Sequence, residues 1–136
     1  MNRAQAAAHN LVCRYAEHEP ERLAEMLDIL VVTCDLPETV EGFYQMFSGQ
    51  PIIYLNERLP PVRRRVVCGH ELGHAMLHET ENSLLMGSTD ALEREADLFC
   101  AELLLSEWEG APADVASLVR ETGLSEQVVR QKFHLL

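Results

Sequence analysis

A chain of 136 residues with a 47% apolar share is the size of one domain and can bury a real core. Its net charge of −11 disfavours any broad contact with nucleic acid, because phosphate binding needs a basic face. It has no run of eighteen apolar residues, which excludes a helical membrane span. The N-terminal stretch is amphipathic and acidic, without an apolar signal core ahead of a small-residue cleavage site, so a cytoplasmic protein is expected. Cys13, Cys34, Cys68 and Cys100 are widely spaced with no CxxC pair, and they read as reduced, mostly buried thiols rather than a zinc ribbon or redox site.

In chain order, residues 4–30 read as two helices broken near Glu19-Pro20, because proline starts a helix better than it continues one. Residues 29–33 are apolar and β-branched, a first strand. Residues 41–47 and 51–56 are two more, joined at Ser48-Gly49-Gln50 as a hairpin. After Leu59-Pro60-Pro61 a long helix is expected over 62–79, then a polar loop over 80–89 and a second strong helix over 90–107. Beyond Gly110-Ala111-Pro112 come two short helices, 113–121 and 125–133, with Ser125 as an N-cap. The pattern predicts an α+β fold: a small three-stranded, mainly antiparallel sheet against a helical bundle, closed by a C-terminal helical hairpin. It forms one domain, with helices and sheet over about 1–60, the central helices over about 61–107 and the helix pair over about 112–136.

The chemistry sits in the first long helix. His70-Glu71-Leu72-Gly73-His74 is a HExxH motif. On a helix, positions i and i+4 share a face, so both imidazoles can reach one ion, and Glu71 lies beside the position left for water, where it can act as general base. Gly73 stands mid-helix at a cost of about 1 kcal/mol against Ala, tolerable where backbone or ligand approaches closely. A third ligand is then needed. His78 extends the ladder, but eight residues rise about 12 Å, too far to share the ion with His70 and His74; a supporting or helix-capping role suits it better. In the second helix Glu93, Asp97, Cys100 and Leu104 form one stripe, and acids on an otherwise apolar stripe need a partner. Glu95 groups instead with Glu102 and Ser106 on a more polar stripe and reads as a solvated charge. Glu93 is therefore the expected ligand, and Asp97 the acceptor for the spare N–H of a ligand histidine. One Zn²⁺ ion suits this donor set. Tyr54, and also Tyr44, are candidate donors to a tetrahedral oxyanion. Arg63-Arg64-Arg65 reads as a solvated first turn, or else as an anchor for an acidic partner segment beside the cleft.

HELGHAMLHE followed by EREADLFCAELLL resembles the ImmA/IrrE family of zinc metallopeptidases, whose members carry HELGHxxLH and then E-x-x-A-[ND]-x-F-A-x-x-L-L. Glu93, Ala96, Asp97, Phe99, Leu103 and Leu104 fall on the second motif, and the pair is similar to the gluzincin arrangement HExxH…ExxxD. The likeness covers roughly residues 25–136. Cys100 replaces a small residue, Ser106 a proline and Val66 a frequent aromatic, departures that bear on packing. The resemblance implies a peptidase acting on a helix-turn-helix repressor of a mobile element, prophage or stress regulon, with His70, His74 and Glu93 holding zinc and Glu71 as base. Two other readings compete. One is a non-proteolytic repressor-binding protein with a structural zinc site, which an intact Glu71 counts against. The other is a DNA-binding regulator, since 114–130 has helix-turn-helix spacing with Gly123 at the turn and offers Gln127, Arg130, Gln131 and Lys132, against Glu126. Packing of that helix pair on the catalytic core is the favoured expectation, with no direct nucleic-acid contact and no membrane.

Overall fold

A computed structural model describes residues 1–78, 89–108, 110 and 112–135, so most of the loop expected over 80–89 lies outside the described residues. Helix α1 (Arg3–Tyr15) opens on a capping box between Asn2 and Gln5, and α2 (Pro20–Met26) starts at the expected proline. Strands β1 (Leu30–Cys34), β2 (Gly42–Phe47) and β3 (Gln50–Asn56) follow. Next come α3 (Pro61–Leu77), α4 (Thr89–Leu104), α5 (Val115–Thr122) and α6 (Glu126–Lys132). Among the described residues no helix is long and apolar enough to cross a membrane.

The fold is α+β, and its sheet is mixed, in the order β1-β3-β2. The expected hairpin is present: β2 pairs antiparallel with β3, and Phe47 faces Gln50 across Ser48-Gly49. Both turn residues have positive φ (49° and 83°), the condition of a two-residue turn that follows the sheet's twist. β1 pairs parallel with β3, Leu30 facing Ile52 and Cys34 facing Asn56. A parallel neighbour requires the chain to cross over before it returns. Here the crossing is made by the segment 35–41 together with β2. Asn56, at the end of β3, holds that segment: its side-chain amide donates to the carbonyls of Leu36, Pro37 and Val40 at 3.2, 3.2 and 3.0 Å.

The central strand supplies Ile53 and Leu55, both fully buried, to a core shared with Leu23, Val67, Cys68, Leu72, Phe99 and Leu103. A second cluster, built from Val66, Cys100, Ala101, Leu105, Leu118 and Val129, seats α5 and α6 on α3 and α4. The two central helices thus face both cores, and they cross at small residues. A Cβ built on Gly73 would lie 3.1 Å from the Cα and the carbonyl oxygen of Ala96, and one on Gly69 would lie 2.6 Å from Cys100 Sγ. This close approach brings the middle of α4 against α3.

Candidate metal centre

Three side chains meet where those helices cross. His70 Nε2 lies 3.2 Å from His74 Nε2, and each reaches a Glu93 oxygen at 2.9 Å. Two donors held about 2.0–2.1 Å from a tetrahedral zinc stand roughly 3.3–3.4 Å apart, so the spacing and the N,N,O chemistry of the set both fit such an ion. His70, Glu71 and His74 also each offer a ligand atom within 4.8 Å of one another. These residues form a group capable of holding a metal.

The electrostatics suit that use. Burial disfavours the His70 imidazolium, but the hydrogen bond to Asp97 and the charges of Asp97, Glu71 and Glu93 outweigh it and raise the His70 pKa. Burial and the neighbouring His70 lower that of His74. A cation bound by this carboxylate-rich group would compete with the proton on His70. Burial pushes the Glu71 carboxyl up to about 7, with Glu93 adding to the rise and His70 opposing it. A carboxyl poised there is matched to proton transfer near neutral pH.

Asp97 Oδ1 lies 2.8 Å from His70 Nδ1, within hydrogen-bond reach of the ring nitrogen opposite the one that faces Glu93. On the other side, His74 Nδ1 lies 2.9 Å from His78 Nδ1, and His78 Nε2 lies 3.2 Å from Glu95 Oε1. Glu95 in turn receives Arg3 Nε and Nη2 from α1 at 2.5 and 3.0 Å. The reading of Glu95 as a solvated charge is thus corrected. Its stripe, with the 6%-exposed Glu102, is covered by other elements: α1 lies over Glu95, and Lys132 of α6 lies 2.8 Å from Glu102. The ladder His74–His78 was visible in the sequence; Arg3, 92 residues from Glu95, carried no signal at all.

A cleft of about 520 Å³ opens on the group. Its walls are 39–42 ahead of and into β2, Arg63, Val66 and Val67 of α3, Glu93 and Asp97 of α4, and Gly123, Leu124, Ser125 and Val128 of the C-terminal pair. Neither tyrosine is among these lining residues. Tyr54 stacks on Phe43, ring centroids 4.6 Å apart, while Tyr44 packs against the main core. The three arginines fan out to three different partners, each a two-point contact with a carboxylate. Arg63 binds Glu41 at 2.6 and 2.6 Å, Arg64 binds Glu21 at 2.6 and 3.3 Å, and Arg65 binds Glu19 at 2.9 and 2.6 Å. Arg64 also donates to Thr33 at 2.7 Å. Neither a solvated turn nor a vacant anchor describes them: they tie α3 to α2, to β1 and to the cleft rim at β2.

Residues 24–134 match the model of the IrrE N-terminal-like domain, peptidase M78. The chain belongs to this family. It is also 37% identical over 109 residues to the uncharacterized immunity region protein 2 of Bacillus phage phi105, across 76% of this chain and 69% of that one. Membership of the IrrE N-terminal-like family points to a metallopeptidase, and the His-Glu-His group is where such an enzyme would carry its metal.

Proposed function

We propose that this protein is a zinc-dependent endopeptidase that cleaves a helix-turn-helix transcriptional repressor. The observation that carries the reading is the convergence of His70 Nε2, His74 Nε2 and Glu93, with contacts of 2.9, 2.9 and 3.2 Å, beside a half-buried carboxyl with a pKa of about 7. His70, His74 and Glu93 hold the ion, which supplies Lewis-acid polarisation and an activated water. Glu71 takes the proton from the nucleophile and returns it to the leaving amine. Asp97 keeps the proton of His70 on Nδ1, so that Nε2 is free to ligate. Substrate enters the cleft in extended form, along the exposed edge strand β2, where main-chain pairing can align it. A base beside the ion has no use in a purely structural zinc site, which disfavours the non-proteolytic reading.

The repressor as substrate rests on the family and on the name of the phage relative, an immunity region protein. The test is to incubate purified protein with Zn²⁺ and any small helix-turn-helix repressor found encoded beside its gene, and to read products by mass spectrometry. Wild type should give one discrete cut and Glu71→Gln none, with zinc still bound. Repressor inactivation that persists in Glu71→Gln would rule out hydrolysis as the mechanism.

A further inference from the structure

A histidine that ligates through Nε2 must carry its proton on Nδ1, and that proton needs an acceptor. For His70 the acceptor is a carboxylate, Asp97. For His74 it is another imidazole. His78 Nδ1, 2.9 Å away, must then act as acceptor, which places the His78 proton on Nε2, aimed at Glu95 Oε1 at 3.2 Å. The Glu95 carboxylate is fixed by two N–H groups of Arg3, Nε on Oε2 and Nη2 on the same Oε1 that faces His78. Donor and acceptor alternate without conflict from His74 to Arg3. The His78 side chain is 6% exposed and that of Glu95 27%, so the His78 contacts are largely withdrawn from solvent, while Arg3 closes the relay from the exposed side.

We propose that His78, Glu95 and Arg3 are positioning residues forming an orienting relay that fixes the tautomer and ring angle of His74 at the metal centre. This rests on the ligand set assigned above. The relay runs from α3 through α4 to α1, so the N-terminal helix completes the site without touching it. It also explains why a histidine too far along the helix to ligate is held next to one that does.

Glu95→Gln is the discriminating change because it keeps size while breaking the alternation. Its amide can present oxygen to His78 only by turning NH₂ onto the Arg3 guanidinium. Presenting NH₂ to His78 instead makes His78 Nε2 an acceptor and sets two protons between His78 and His74. Zinc affinity, measured by competition with a chromophoric chelator, should fall about 10–100-fold in Glu95→Gln, as for other outer-shell partners of ligand histidines. The visible absorption of the Co²⁺-loaded protein should change with it, while the metal-free protein melts as wild type does. His78→Leu should lose affinity in the same way. His78→Gln, which can accept from His74 and donate to Glu95, should recover much of it.

Glu95→Gln and His78→Leu proteins with wild-type zinc affinity and cobalt spectra would overturn the relay. So would a loss of affinity that only tracks a fall in the melting temperature of the metal-free variants, which would make Glu95 a structural tie. Wild-type protein that binds no zinc would overturn the ligand assignment, and the relay with it. Absence of peptide cleavage by a zinc-loaded wild type would leave these metal-binding results intact and count against the proposed reaction alone.

Discussion

Glu71 concentrates the electrostatics of the cleft, since burial among helix residues raises its pKa from 4.5 to about 7. In the metal-free protein the folded state then holds a proton that the unfolded chain releases. Stability from this group is complete at pH values below 4.5 and declines as pH rises through about 7. Glu71→Gln, neutral at every pH, should therefore stabilise the metal-free protein by roughly 1–3 kcal/mol at about pH 8, a gain that vanishes toward about pH 5. Thermal melts across that range check it; a pH-independent difference would contradict the burial argument. The same change should lower peptide hydrolysis by about 10²–10⁴-fold, the usual contribution of a general base. The thiols offer a second check at this scale. Cys13 is exposed, whereas Cys68 and Cys100 are buried, the former with its pKa pushed up to about 12 by burial and the latter raised by burial too. An alkylating reagent near neutral pH should modify Cys13 in the native protein and reach Cys68 and Cys100 only on unfolding.

Between elements, the site depends on how closely α3 and α4 approach. Ala ordinarily gains about 1 kcal/mol over Gly inside a helix. Gly73→Ala should nevertheless destabilise, by roughly 1–3 kcal/mol, because the added methyl meets the backbone of Ala96 at 3.1 Å and backbone cannot step aside. Gly69→Ala meets a side chain instead, Cys100 Sγ at 2.6 Å, so Cys100→Ala should relieve it. Denaturant melts of the two single variants and the double one should show the double less destabilised than the sum of the singles. Strict additivity would mean that the helices do not touch there. Here sequence and structure part in an instructive way. Element type and order were legible from periodicity and from Pro20, Pro61, Ser125 and Gly123, because caps and breakers act locally. The crossing of α3 with α4 was legible only as a hint, in a glycine where a helix should not want one. The parallel pairing of β1 was not, since it depends on a segment held by an Asn56 amide that contacts residues 16–20 positions earlier.

At the scale of the whole molecule, the cations of α6 are engaged by carboxylates of the chain itself. Arg130 of α6 binds Glu126 at 3.0 Å, and Lys132 reaches the buried Glu102, an ion pair without the direction of a hydrogen bond. These were the cations that gave the helix pair its resemblance to a DNA reader. With them engaged and a net charge of −11, gel-shift titration at low salt should show no specific DNA complex; a clear one would reverse this assignment of α5 and α6. What those helices do in this fold is wall the cleft with Leu124 and Val128. The sequence by itself determined the pieces whose logic is local: two histidines one helical turn apart with a glutamate between them, and Glu93 one turn from Asp97 on a stripe that otherwise buries. Only the tertiary structure decided what faces that stripe and its neighbour. Glu95, on a stripe with Glu102, read as a solvated charge because helical spacing specifies a face and says nothing of what covers it. α1 and α6, brought from the two ends of the chain, cover it, and one of them carries the arginine that steadies His74 through His78.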